Sequence, residues 1–267
     1  MSKNKYGIGI ITCDRLDYVD NLLSSLDPKK CLRFVINDGE QDLSNLKHAI
    51  HCINTPKPKS GVGVAKNLAI KTLMSIGYDY IFLLEDDIVI KDESVFEKYI
   101  EASKLSGIQH FNFAFHGNDN YLPDGSEAIL LKVEYSKDCA VCLYPNVYGA
   151  LSFYTRKSIE ECGYMDEYYY NALEHVDHTN KIIQKKMHPP FRWFADIADS
   201  SKYISEQDSS HSGSTIRKDQ SWIQNFHNMA DHFAKENGFD VRNPYTKIAS
   251  KEQVIQNLKE IKTLWKK

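Results

Sequence analysis

The 267-residue chain has no excess of positive charge: 33 Lys and Arg stand against 36 Asp and Glu, a formal net charge of −3. That leaves no basic field for a nucleic acid. No apolar run approaches the ~20 residues needed to cross a membrane. The opening MSKNKYGIGIIT lacks a signal-peptide layout, because its short apolar run leads straight into polar residues. Cysteine is sparse, six residues scattered singly apart from one C-x-x-C at Cys139 and Cys142. No second pair completes a zinc site there, and DCAVCLY reads as a strand. The expectation is therefore a cytoplasmic protein with free thiols. Glycine-rich phosphate loops are missing too. GVGVAKN carries a G-x-G, but Lys66 stands where a dinucleotide fingerprint needs its third glycine, and the G-K-[ST] of a P-loop is absent. Repeats and low-complexity linkers are also absent, so the chain reads as one compact unit.

What is present is ordinary globular material, 42% hydrophobic and 26% charged, enough for a substantial core. Over the first hundred residues strand and helix signals alternate. YGIGIIT, CLRFVIND, HCIN and YDYIFLLEDD read as strands. DRLDYVDNLLSSL, a polar stretch over residues 42–50, VAKNLAIKTLMSIG and DESVFEKYIEASKLSG read as helices, the third ending at Gly77. Such alternation predicts an α/β fold with a mostly parallel central sheet flanked by helices. After residue 107 the pattern changes to strands HFNFAFH, AILLKVEY and VYGALSFYT. RKSIEECG and residues 173–186 look helical, SSKYISEQDSSHSGSTIRKD loop-like, and two amphipathic helices near residues 219–237 and 250–265 close the chain. This divides a single domain into halves, 1–107 and 108–267.

One stretch demands chemistry. YIFLLEDDIVI, residues 80–90, runs five apolar or aromatic residues into Glu85, Asp86 and Asp87. Adjacent carboxylates at about 5 Å repel by roughly 3 kcal/mol per pair at an effective dielectric near 20. In an open α/β sheet this position, beyond a strand's carboxyl end, is where ligands bind. Extended geometry continued through the cluster would point Glu85 and Asp87 to one face and Asp86 to the other. A divalent cation would remove the repulsion, and carboxylates that leave room for water and phosphate suit Mg²⁺ or Mn²⁺. The plain alternative is a solvated strand end.

ITCDRLDYVDNLLSSL, VINDGE, GVGVAKNLAI and FLLEDDIVI follow in an order that resembles the GT-A glycosyltransferases, glycosyltransferase family 2 above all. The family counterparts are a P-T-Y-N-R-like strand end, D-D-G-S, G-x-x-x-A-R-N and the D-x-D motif. The CDR and EDD spellings are similar to those of the Golgi N-acetylglucosaminyltransferases. The likeness covers about residues 6–100. A second block, ECGYMDEYYYNALEHVDHTNKI, resembles the family's G-G-F-D-E … E-D-x-D segment.

The resemblance implies a GT-A, nucleotide-diphospho-sugar transferase fold and a role for each piece. Thr12, Asp14 and Arg15 would lie beside the nucleotide. Asp38, before Gly39, would accept from the base, most often uracil. Lys66 takes the place of the usual arginine near the diphosphate, and Asn67 matches the family asparagine. Asp87 would contact the metal directly, with Asp86 and Glu85 holding the metal, its waters or the donor ribose. His211, in SSHSGST, is the expected metal ligand from a late loop. Taken singly these residues also read as a helix cap, a turn and a solvated lysine; together, at successive strand ends, they read as a site. The implied reaction moves a hexosyl or N-acetylhexosaminyl group from a nucleotide-sugar donor, a UDP-sugar, to a hydroxyl of a glycan or lipid-linked glycan, with inversion. Two other readings stand beside it, a catalytically silent sugar-binding module and a sugar nucleotidyltransferase. The latter would open with a glycine-rich G-G-x-G-T-R-L-like loop, which ITCDRLD lacks.

The chain departs from the family at the base. The usual E-D-x-D is spelled Glu174-His175-Val176-Asp177, so His175 replaces the aspartate that takes the acceptor proton. Histidines titrate near 6.5 and serve as bases at neutral pH. Glu174 and His175 both remain as the base, with Asp177 in support. His178 forms an H-x-x-H with His175, but no third zinc ligand is evident. The last helix has Val254, Leu258, Ile261 and Leu264 on one face and lysines elsewhere. It is expected to pack on its own domain, the alternative being peripheral contact with an anionic membrane surface.

Overall fold

A computed structural model of the chain describes residues 5–44, 46, 51–207, 218, 220–243, 245 and 248–265. The N-terminal half runs β1 (Tyr6–Thr12), α1 (Leu16–Ser24), β2 (Leu32–Asn37), β3 (Cys52–Asn54), α2 (Val62–Ile76), β4 (Tyr80–Glu85), β5 (Ile88–Ile90) and α3 (Ser94–Ser106). The remainder adds β6 (His110–Asn112), β7 (Leu131–Ser136), β8 (Cys139–Tyr144), β9 (Leu151–Thr155), α4 (Arg156–Cys162), α5 (Glu174–Gln184), β10 (Phe194–Ile197), β11 (Ile204–Glu206), α6 (Trp222–Asn237) and α7 (Lys251–Trp265). The central sheet has the order β3-β2-β1-β4-β9-β6. β1 pairs in parallel with β2 and β4, and β2 with β3. Only β9 runs against the rest, antiparallel to both β4 and β6. The expected α/β architecture with a mostly parallel sheet is therefore present.

Helices cover both faces of this sheet, which explains why its strands are apolar without a break. Along β4, Ile81 and Leu83 enter one core with Ala65, Ala69 and Leu73 of α2. Phe82 and Leu84 enter the other, against Phe96, Tyr99 and Ile100 of α3. This two-residue period fixes the direction of the strand's last side chain: Glu85, in step with Ile81 and Leu83, emerges on the α2 side. α7 places Val254, Leu258 and Ile261 in the α3-side core, while Leu264 at the end of the same face is 57% exposed. No helix among the described residues is long and apolar enough to cross a membrane.

The structure differs from the sequence expectations in several places. YIFLLEDDIVI is not one strand; a turn at Asp86-Asp87 separates β4 from β5, so alternation does not carry through the acids. HFNFAFH is strand only over His110–Asn112; the Phe113 amide makes one more bond to Leu151 O at 3.0 Å, and the Ala114 amide then donates to the Asp196 carboxylate at 2.8 Å. The polar stretch after residue 200 contains β11, which pairs with β5 as Ile204 packs opposite Ile90. β10, antiparallel to β8, had no distinct sequence signal. The helix expected over residues 42–50 falls largely outside the described residues.

Candidate functional site

Parallel pairing brings three strand ends to one edge. Thr12 is level with Asn37, and Ile11 with Glu85, so the segments after β1, β2 and β4 open onto the same crevice. β9 runs the other way and brings its entrance there: the Glu85 amide donates to Ala150 O at 2.8 Å. β6 ends on the same side and leads to His116. A pocket of about 380 Å³ lies at this edge, lined by residues including Thr12, Arg15, Asp38, Glu85, Tyr170 and Asn171.

The three acids of the EDD cluster meet different partners. Asp86 is fully buried. Thr12 Oγ1 donates to its Oδ2 at 2.6 Å, and Arg15 pairs closely with its Oδ1. Burial pushes the Asp86 carboxyl up to about 7, with Arg15 pulling the other way. Asp87 Oδ2 accepts from Arg15 at 3.2 Å and lies 3.9 Å from His116 Nε2. Asp87 Oδ1 is buried without a hydrogen-bond partner among the described residues. Glu85 takes a hydrogen bond from Lys66 Nζ at 2.6 Å. Repulsion within the cluster is thus relieved in part by Arg15 and Lys66, which divide the three charges between them.

Lys66 lies wholly inside the protein and bridges Glu85 to Glu174, 2.8 Å away, while also donating to Gly149 O at 3.3 Å. Burial alone would depress this amine; the two carboxylates outweigh it and hold the ammonium charged. Burial alone would likewise raise Glu174, but Lys66 and His175 hold its carboxyl well below the usual range. His175 Nδ1 stands 3.0 Å from Glu174 Oε1. Both residues open α5, whose N-terminal dipole favours a carboxylate. Gly149 closes over the network. A Cβ there would fall 2.8 Å from Lys66 Nζ, 2.9 Å from Glu85 Oε1 and 3.1 Å from His175 Nδ1, so no larger residue fits without displacing one of them.

The other expected residues have settled positions. Asp38 is buried, and its carboxylate accepts from Thr55 Oγ1 at 2.8 Å, Ser60 N at 2.8 Å and Gly61 N at 2.9 Å. It therefore shapes the loop before α2 as well as lining the pocket. Asp14, in a left-handed conformation, accepts from the Glu40 and Gln41 amides. Gly39 is packed tightly against it. Asn67 faces away from the pocket: its amide donates to Met165 O and Glu167 Oε1 and accepts from Met165 N. Asp177 pairs with Lys181 at 2.7 Å rather than with Glu174 or His175. His178 has its Nε2 2.9 Å from Gly163 O and does not join His175. His211 lies outside the described residues.

Sequence reasoning missed His116 and Glu206. His116 Nδ1 is 3.0 Å from Glu206 Oε1, and the Gly117 amide donates to the same oxygen at 2.6 Å. Burial opposes protonation of His116, yet the Glu206 hydrogen bond and the Asp87 and Glu85 charges raise its pKa overall. Neither residue belongs to a spaced motif; the pairing of β11 with β5 brings Glu206 here. Among the described residues no group of three or more His, Cys, Asp or Glu side chains is arranged to hold a metal ion. The orphaned Asp87 Oδ1 beside His116 nevertheless fits a cation that takes one or two protein ligands and completes its shell with water and phosphate.

No family model matches the chain. An uncharacterized glycosyltransferase of Acanthamoeba polyphaga mimivirus is 29% identical over 147 residues, 54% of this chain and 53% of that protein. The match thus spans about half the length of that curated relative. Among solved structures, glucosyl-3-phosphoglycerate synthase from Mycobacterium tuberculosis, in complex with Mg²⁺ and UDP, superposes with a TM-score of 0.46 at 11% identity, covering 70% of this chain and 67% of that one. A mannosyltransferase from Pyrobaculum calidifontis, in complex with GDP-Man and Mn²⁺, gives 0.43 at 11% identity, covering 62% and 49%.

Proposed function

We propose that the chain is a GT-A glycosyltransferase that moves a hexosyl or N-acetylhexosaminyl group from a nucleotide-diphosphate sugar, a UDP-sugar, to a hydroxyl of a glycan or lipid-linked glycan. The observation that carries this reading is the convergence of Thr12, Arg15, Asp38 and Glu85 from successive strand ends on one pocket. Its proposed setting is cytoplasmic polysaccharide assembly. Lys59 and Lys218 also line the pocket and are suited to the donor diphosphate. Asp87, with His116 beside it, would hold Mn²⁺ or Mg²⁺, which when bound supplies a Lewis acid for the leaving diphosphate.

The base is assigned to His175. Glu174 is committed to Lys66 and to His175 Nδ1, and a carboxylate so stabilised is a poor proton acceptor. With Nδ1–H donated to Glu174, the other ring nitrogen of His175 is the acceptor. In the proposed step the acceptor oxygen bonds to the anomeric carbon, the bond from that carbon to the diphosphate oxygen breaks, and the hydroxyl proton passes to His175 Nε2. Attack opposite the leaving group inverts the anomeric centre.

Calorimetric titration with UDP, with and without Mn²⁺, and a screen of nucleotide sugars for slow donor hydrolysis test the reading. Metal-dependent UDP binding is expected, with loss of that dependence in Asp87→Ala and an unaltered circular dichroism spectrum. Binding without turnover of any donor would favour a silent binding module, and wild-type behaviour of Asp87→Ala would remove it from the metal site.

A further inference from the structure

The pocket has a wall built from residues that lie between the matched positions of the ECGYMDEYYYNALEHVDHTNKI block. Tyr170 and Asn171, from the segment between α4 and α5, line it together with Asp38, Lys59 and Gly61. Asn171 is only 8% exposed, and its Oδ1 is buried with no hydrogen-bond partner among the described residues. Buried side-chain amides are normally satisfied, so an amide left open on a pocket wall marks a place where a ligand supplies the missing group.

The backbone next to Asn171 is held in place at Tyr170. The Val62 amide donates to Tyr170 O at 2.9 Å, and the Tyr170 hydroxyl donates to Lys59 O at 2.8 Å. Gly61 makes this approach feasible: its φ is 109°, and a Cβ would lie 2.6 Å from Tyr170 O. The Gly61 amide in turn donates to Asp38. Tyr170, Gly61 and Asp38 thus form one hydrogen-bonded end of the pocket, remote in sequence from the Asp86-Asp87 end.

We infer that Tyr170 and Asn171 recognise the nucleoside part of the donor, the tyrosine ring as an apolar wall and the asparagine amide as the polar reader. An amide carries a donor and an acceptor side by side, as does the polar edge of a nucleobase. Aromatic rings accept bases of any sequence by stacking. Neither group is charged, so the charge compensation a diphosphate needs falls to Lys59 and Lys218 on the same pocket. This rests on the nucleotide-sugar reading above.

The test compares UDP with pyrophosphate, both with Mn²⁺, on the full chain and on Asn171→Ala, Asn171→Ser and Tyr170→Leu, each first checked for an unchanged thermal melt. Asn171→Ala and Asn171→Ser should bind UDP about tenfold more weakly, the loss of one well-made hydrogen bond, and pyrophosphate as the parent does. Tyr170→Leu should show the same selectivity of loss. Equal weakening for UDP and pyrophosphate, or unchanged UDP affinity in both Asn171 variants, overturns the inference while leaving the donor reading intact. A parent chain that binds neither UDP nor pyrophosphate overturns both.

Discussion

At the scale of single residues, the site is governed by how charges are neutralised in pairs. Arg15 serves Asp86 and Asp87, Lys66 serves Glu85 and Glu174, and His175 is left at the end of the second chain. His175→Ala should therefore lower turnover about a hundred- to ten-thousand-fold and remove the fall in rate at low pH, since a protonated base cannot accept. Glu174→Gln should keep that acid limb while slowing the reaction less. Initial rates across pH at saturating donor check both, and a full-speed His175→Ala enzyme with an unchanged profile would return the base to Glu174. Much of this was legible in the sequence, because Thr12, Arg15 and the three acids sit in ordered motifs at strand ends, and Lys66 in another within α2. His116 and Glu206 were not, because each comes from a segment whose position depends on distant pairing rather than on local spacing; Asn171 sits inside the second quoted block, but between its matched positions. Asn67 shows the opposite error: a motif match whose side chain folds back to hold residues 165–167.

Among the elements, long periodic ones were readable and short ones were not. α2 and α3 announce themselves by helical periods, and β4 by an unbroken apolar run. β10 and β11 are four and three residues long, too short for a period to form, and β11 exists because β5 offers it an edge. α7 shows what packing adds to pattern. Its apolar stripe permitted either core or surface contact, and the burial of Val254, Leu258 and Ile261 decides for the core. Ile261→Ala should cost about 2–5 kcal/mol of stability, as large-to-small core changes do. Urea denaturation measures this, and a cost near zero would mean the helix does not dock as described.

Over the whole molecule, buried titrating groups pull in opposite directions. Burial presses His178 and His188 down to about 4. Their stabilisation is present above an unfolded pKa near 6.5 and is lost as pH falls through about 4, roughly 3 kcal/mol apiece. Burial instead pushes Asp196 up to about 7, although Tyr99, Ser200 and the Ala114 and Ile197 amides all donate to it. Its contribution is full below the ordinary aspartate range and is lost as pH rises through about 7. Asp196→Asn, which cannot titrate, should therefore gain stability relative to the parent as pH rises from ~4 to ~8. Urea midpoints over that range test the sign, and a variant that loses ground to the parent as pH rises would contradict it. The position of β9 has a consequence for how the chain comes together during synthesis. β6 is made before β9, yet among the described residues its only sheet partner is β9. When β6 emerges, the strands β1 to β4 can already associate through nearer contacts, while β6 must wait beside a vacant slot. Distant pairings of this kind are slow to form. The sheet can close only once β9 has been made and placed between β4 and β6. The crevice, which draws Gly149 and Glu174 from around and beyond that strand, can be assembled only after the insertion has occurred.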